Sequence, residues 1–298
     1  MTEKGKRKLK KWLIFFVCCA VGFTALYFID RYVQSRTAPA PLAAGECRVE
    51  MIDVGQGDAI LLRTVDGTVL VDAGTGMSEK ALKKHLDGEG IDSFDYVVFT
   101  HPHEDHIGGG DMILDNYKVA NVLLPDVTTN TDAFENLLDA IDRSEAEVTT
   151  PSDGFSFECG GMRFFVLSPE KVITTHNDLN IASIVMRMDY NGFSALLTGD
   201  AEMVNETVML SNYREYLDCD VLKVGHHGSY FASTEPFIEA VSPMIALISC
   251  GKHNDYGHPN ESTLERLEDN GAKIYRTDRD STVTVVSNGE KIRVYRAE

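Results

Sequence analysis

The sequence has no CxxC pair, no internal repeat, no low-complexity block and only one long uncharged apolar run. Its six cysteines are scattered: Cys18 and Cys19 sit in that run, while Cys47, Cys159, Cys219 and Cys250 lie far apart. Such spacing excludes a disulfide framework and leaves the cysteines as small buried side chains, with one disulfide as the alternative. The missing repeat excludes a solenoid or an array. Positive charge is also scarce where it would matter. The first 37 residues hold eight basic and two acidic residues, net +6, against −18 for the whole chain, which leaves −24 on residues 38–298. So acidic a region disfavours a sequence-independent grip on a phosphate backbone or an anionic membrane surface.

The start of the chain is built differently. "MTEKGKRKLKK" carries six basic residues (Lys4, Lys6, Arg7, Lys8, Lys10, Lys11) against Glu3, and Trp12–Ile29 then runs 18 residues without a charge. As a helix, that run is roughly 27 Å long, enough to cross a hydrocarbon core. The basic flank over residues 1–11 is expected to stay cytoplasmic. Residues 12–29 are then a transmembrane signal-anchor, 30–45 a linker, and 46–298 a single domain on the far side. A signal peptide cleaved near "APLAA" is the alternative, although that segment lies more than ten residues past the run. A buried helix is the third reading.

Within 46–298, short β-rich runs alternate with helical stretches. "CRVEMIDV", "DAILLRT", "GTVLVDAG" and "FDYVVFT" read as strands. "SEKALKKHLDGEG" reads as a helix with Ser78 as its N-cap, and "DAFENLLDAIDRS" as another. The second half repeats the pattern, with "MRFFVLSP", "ASIVMRMDY", "FSALLTGD", "CDVLKVG" and "MIALISCG" as strands between helices, and three strands finish the chain. The class is α/β, with two sheets faced by helices.

One stretch concentrates metal-binding side chains. "THPHEDHIGGG", residues 100–110, begins where the apolar strand "DYVVFT" ends, at the edge where open α/β sheets collect ligands. Extended backbone through Pro102 puts His101 and His103 on one side, and Asp105 and His106 follow at the turn. This H-x-H-x-D-H pattern supplies two ligand pairs for two neighbouring divalent cations. Further ligands should come from other strand ends. Asp200 ends "ALLTGD", His226 and His227 end "VLKVGHH", and His258 lies in the loop "KHNDYGHPN" beside Lys252. Each alone is an ordinary loop residue; together with the first motif they form a set. Asp72 in "VLVDAG" either orients a ligating imidazole or serves only its turn. Histidine and carboxylate without thiolate suit zinc, with manganese as the alternative.

These motifs carry a resemblance. "HPHEDHIGG" resembles the metal motif of the metallo-β-lactamase superfamily, whose αβ/βα sandwich holds a dinuclear site at one edge. "MIDVGQGDAILLRT", "VLVDAGT", "LLTGDAE", "LKVGHHGS" and "YGHPN", in this order, are similar to the C-terminal metallo-β-lactamase-like domain of ComEC-type competence proteins of bacteria. The resemblance implies His101, His103, Asp105, His106 and Asp200 as metal ligands. A histidine of "GHHGS" is the last: His226 is favoured, with His227 as an outer proton carrier. It also implies a protein of the bacterial cell membrane whose domain is extracytoplasmic. Two departures stand out. The superfamily usually supplies a middle histidine, whereas "THNDLNIAS" offers His176, Asp178 or Asn180. ComEC-type proteins also carry a multi-span channel, and a single span would not translocate DNA by itself.

The residues suit metal-assisted hydrolysis, in which cations lower the pKa of a water and polarise the oxygen under attack. Asp105 would aim that water, and His227 or His258 would protonate the leaving group. Three functions follow. The first is a phosphodiesterase or nuclease acting on extracytoplasmic single-stranded DNA or nucleotides. The second is a hydrolase of small esters, lactones or β-lactams, which the acidity does not oppose. The third is a non-catalytic metal-binding module.

Overall fold

The structure, a computed structural model, describes residues 39–171 and 178–297. The expected membrane-spanning run at 12–29 and His176 lie outside these residues. Among the described residues no helix is long and apolar enough to cross a membrane.

Two sheets pack face to face. The chain begins in the first with β1 (Cys47–Met51), β2 (Ile60–Arg63), β3 (Thr68–Val71), β4 (Ser93–Val98), β5 (Lys118–Leu123) and β6 (Glu147–Thr149). It crosses to the second with β7 (Ser156–Cys159), β8 (Met162–Ser168), β9 (Val185–Tyr190), β10 (Phe193–Leu197), β11 (Val221–Lys223), β12 (Ile245–Ile248) and β13 (Lys273–Arg276). Finally β14 (Val283–Ser287) and β15 (Ile292–Arg296) return to the first sheet beside β1. The strand orders are β15-β14-β1-β2-β3-β4-β5-β6 and β13-β12-β11-β10-β9-β8-β7.

Strands β3 to β6 run parallel, as do β10 to β13, and the remaining neighbours are antiparallel. The inner parallel strands, such as β11 and β12, are apolar on both faces, because one face meets the other sheet and the other meets helices. Val49, Leu62, Val71, Phe164, Met186 and Leu197 fill the space between the sheets. The first sheet's outer face is covered by α1 (Glu79–Gly88), α2 (Glu104–Ile107), α3 (Gly110–Asn116) and α4 (Asp132–Arg143). The second sheet carries α5 (Met203–Asn212), α6 (Glu235–Val241) and α7 (Glu261–Asp269) on its outer face. The expected αβ/βα sandwich is therefore present.

Local details differ from expectation. Ser78 does not cap α1: it stays in helical backbone within a tight turn, and its hydroxyl donates to the Thr75 carbonyl. Thr131, by contrast, does cap α4, accepting from the Phe134 N–H. Strands β6 and β7 are edge strands that no apolar run announces, since alternate residues face solvent. Cys47, Cys159, Cys219 and Cys250 are all free and buried, as their scatter implied.

Candidate active site

The C-terminal ends of β3 and β4 in one sheet meet those of β10, β11 and β12 in the other. Asp72 follows β3, His101 follows β4 by three residues, and α2 carries Asp105 and His106. Asp200 follows β10, and His226 and His227 follow β11. Three of these residues hold left-handed backbone without being glycine: Asp72 (φ 59°), His226 (φ 45°) and His227 (φ 53°). Such conformations cost about 1–3 kcal/mol each and persist only where surrounding structure imposes them. Here the neighbouring Gly57 lets the loop before β2 approach α2 closely: a Cβ at Gly57 would lie 2.2 Å from the Asp105 carbonyl oxygen.

One half of the site is enclosed except at Asp105, whose side chain is 28% exposed. His227 Nε2 lies 3.3 Å from Asp105 Oδ2 and 3.5 Å from Asp200 Oδ2, and His106 Nε2 lies 3.3 Å from Asp200 Oδ1. Asp105, His106 and His227 can each turn one ligand atom to a common point, as can His101, His106 and Asp200. His106 Nε2, His227 Nε2 and Asp200 Oδ1 are buried with no hydrogen-bond partner among the described residues. Orphaned buried polar atoms of this kind are costly, and a divalent cation among them would satisfy all three. The donor set therefore fits a metal.

The charges point the same way. Burial opposes ionisation of Asp200, yet His227 and His106 hold its carboxyl well below the usual range. Burial is likewise outweighed at Asp105, which His106 and His227 keep ionised. In return the carboxylates raise the imidazoles: against burial, Asp200, Asp72 and Asp105 push His106 well up, and Asp200, Asp58 and Asp105 push His227 up to about 10. Protons thus balance the carboxylates where a cation would.

The other half is open. His101 Nε2 and His103 Nδ1 face each other at 2.9 Å, and His101 Nε2 is 3.9 Å from Asp200 Oδ2. Burial, together with His106, holds His101 well below its ordinary pKa, so it presents a neutral nitrogen. His226 Nε2 approaches the same Asp200 oxygen at 3.6 Å, while its Nδ1 is held by Glu202 Oε1 at 2.8 Å. Asn180 lies beside this pair, its Nδ2 donating to Glu202 Oε1 and its Oδ1 buried without a partner. Asp178 caps its own turn, accepting the Asn180 N–H at 3.1 Å.

Of the two adjacent histidines, His227 takes the inner place and His226 the outer one. His227, 1% exposed, joins Asp105 and His106, whereas the His226 side chain is 24% exposed and stands on the solvent side of Asp200. The reason lies in the consecutive left-handed residues, which turn the second ring inward over the Ser249 carbonyl, 3.0 Å from His227 Nδ1.

His258 also stands at the site, 5.3 Å from the His226 ring and 6.3 Å from that of His227 between centroids. Burial, then the nearby His226 and His227, push it down to about 4. Its Nδ1 is buried with no hydrogen-bond partner among the described residues. Lys252 is exposed and makes no ion pair among the described residues.

Two residues escaped the sequence reading. Asp58, in the "VGQGD" loop before β2, is buried with Oδ1 3.4 Å from His227 Nδ1. Lys223, the last residue of β11, is 1% exposed, with Nζ 2.5 Å from Asp58 Oδ2 and 2.9 Å from the Gly199 carbonyl. Against burial, Asp58 and Asp200 raise the Lys223 pKa, so the ammonium stays charged beneath the ligands. The available signal was a lysine inside the apolar run "DVLKV". Asp72 accepts from the Thr100 N–H and hydroxyl at 2.7 Å each, and its Oδ2 lies 2.7 Å from His106 Nδ1. It thus fixes the ring so that Nε2 faces the ligand cluster.

Comparison with known proteins agrees with this architecture. The chain is 32% identical to ComE operon protein 3 of Bacillus subtilis, over 90% of this chain and 35% of that protein. It is 31% identical to Competence protein ComA of Neisseria gonorrhoeae, over 85% and 34%, and 30% identical to Recombination protein 2 of Haemophilus influenzae, over 88% and 31%. The chain thus spans about a third of the length of these relatives. Among solved structures, the metallo-beta-lactamase fold protein YhfI of Bacillus subtilis superposes with a TM-score of 0.55 at 14% identity, over 81% of this chain and 99% of that one. The diiron β-hydroxylase CmlA of Streptomyces venezuelae gives 0.52 at 16%, over 83% and 55%. These two likenesses concern the fold alone. Residues 52–253 match the description "Metallo-beta-lactamase superfamily", and with its sandwich, its edge site and its competence-protein relatives the chain belongs to that superfamily.

Proposed function

We infer that this chain is a dinuclear metal-dependent phosphodiesterase acting on single-stranded DNA or nucleotides outside the cell membrane. The observation that carries the reading is the ring of buried, unpartnered donors at His106, His227 and Asp200, set beside a second, open set at His101, His103 and His226. Two divalent cations, zinc or manganese, would supply Lewis-acid polarisation and an activated water there. Asp105, His106 and His227 would hold one of them, and His101, His103 and His226 the other, with Asp200 between. The Asp105 carboxylate, kept ionised, is placed to accept a proton from an attacking water. Asp72 fixes His106, and Asp58 with Lys223 fixes His227 from behind. The relatives' names, which speak of competence and recombination, favour DNA as the substrate. The basic flank and the apolar run Trp12–Ile29 favour a single anchor with the domain outside.

The net −24 on residues 38–298 keeps a second reading open: a hydrolase of small esters, lactones or β-lactams, which needs no polyanion nearby. Chelator-stripped protein reloaded with Mn²⁺ or Zn²⁺ should be assayed on labelled single-stranded and duplex oligonucleotides, bis-p-nitrophenyl phosphate, a lactone and nitrocefin. Metal-dependent diester cleavage with single strands preferred is the expected result. No diester cleavage with any metal, alongside rapid lactone or nitrocefin turnover, establishes the second reading instead.

A further inference from the structure

The loop between β12 and α7 puts aromatic surface at the mouth of the site. Tyr256 is 72% exposed, and its ring lies 5.7 Å from that of His258 at an interplanar angle of 23°, a stacked pair. His258 in turn stands 5.3 Å from the His226 ring, so one continuous ring surface leads from a ligand of the open half out to solvent. Beyond His227, Tyr230 and Phe231 are exposed as well, packed edge to face at 5.5 Å. An aromatic side chain left in water contributes little to folding, and one that extends a row of rings from a hydrolytic centre has a ligand-facing use.

Charge narrows what that ligand is. An acidic domain repels a phosphate chain, so a nucleic acid strand cannot be held here by many phosphate contacts. Stacking of a base on an aromatic ring carries no net charge and tolerates every base, because each has a π-face. The exposed Lys252 on the same loop supplies one positive charge for one neighbouring phosphate.

We propose that Tyr256, backed by His258, is a base-stacking subsite that holds one unpaired nucleobase while a neighbouring phosphodiester of the same strand lies at the metal centre. The proposal rests on the phosphodiesterase reading and names its specificity element. A paired base keeps both faces covered inside the duplex and cannot use this ring. Single-strand preference then arises from the rim of the site rather than from the metals.

The test compares wild-type chain with Tyr256→Ala and Tyr256→Phe on two single-stranded oligonucleotides. They are identical except that one carries an abasic tetrahydrofuran residue beside the scissile diester. Tyr256→Ala should raise KM for the base-bearing strand roughly 10-fold with kcat within about twofold, while the abasic strand shows no such loss and Tyr256→Phe restores wild-type KM. An equal loss on both strands, or no loss on either, overturns the subsite. Binding of a labelled oligothymidylate to the calcium-loaded chain, read by anisotropy, separates this claim from catalysis. If no diester is cut but Tyr256→Ala still weakens that binding, the subsite stands and the phosphodiesterase reading falls. Unchanged binding in Tyr256→Ala overturns the subsite. So does loss of binding to phosphatidylglycerol vesicles with oligonucleotide binding intact, which would make Tyr256 a membrane contact.

Discussion

The two halves of the site are made of the same residue types and differ in enclosure. His106, His227 and Asp200 each bring a buried, unpartnered atom to one set, which the partly exposed Asp105 completes and Asp72, Asp58 and Lys223 back. His101, His103 and His226 form a set whose outer members reach solvent, with the amide of Asn180 beside His226. A rigid, charged pocket gains more from a cation than an open one, because nothing else can satisfy its atoms. The two cations should therefore bind with unequal strength, the inner one tightly and the outer one exchangeably.

Removing the residue shared by both halves has the largest expected effect. Asp200→Ala should lower kcat at least about 10³-fold and empty both halves, since several kcal/mol of charge stabilisation depend on the centre. Metal content by mass spectrometry and a far-UV spectrum would check it: two cations retained with full activity contradict the shared role.

Lys223→Met comes next and acts on the inner half alone. It leaves the Asp58 charge buried beneath the ligands, and breaking a buried pair this way costs about 3–5 kcal/mol. Denaturant unfolding of the metal-free chain should show that loss, and a shift below about 1 kcal/mol would mean the pair is dispensable. Milder still is Asp72→Asn, which keeps the size of the side chain and removes its charge from His106. Affinity of the inner cation should fall about 10–100-fold with the fold intact. An equal loss at the outer cation would remove the distinction between the halves.

The remaining effect is on pH dependence. In the metal-free protein His227 has a pKa raised from its ordinary value to about 10. Its stabilising contribution is complete below the unfolded value near 6.5 and is lost as pH rises through about 10. A cation replaces that proton, so the loaded protein lacks this loss. The gap in Tm between loaded and metal-free chain should widen from pH 7 to 10, and a gap that narrows contradicts the placement of His227 in the inner set.

Much of this was legible in the sequence, and the gaps have physical causes. Period-2 runs and apolar strands gave the sandwich, because both halves bury their inner parallel strands on two faces. The edge strands β6 and β7 stayed hidden, since one solvent-facing side removes the apolar run that announces a strand. H-x-H-x-D-H and Asp200 could be read because metal ligands cluster at strand ends. The choice between His226 and His227 could not, for it turns on two left-handed residues that direct the second ring inward. Asp58 was missed because a single aspartate after glycine looks like turn chemistry until Lys223 is found buried against it.

The unequal-halves account is tested most directly by calorimetric titration of Mn²⁺ into the metal-free chain, its His227→Ala variant and its His226→Ala variant. Two separable binding steps are expected for the wild type, with the tighter one lost in His227→Ala and only the weaker one lost in His226→Ala. A single step in the wild type, or the tight step lost in His226→Ala and kept in His227→Ala, would contradict it.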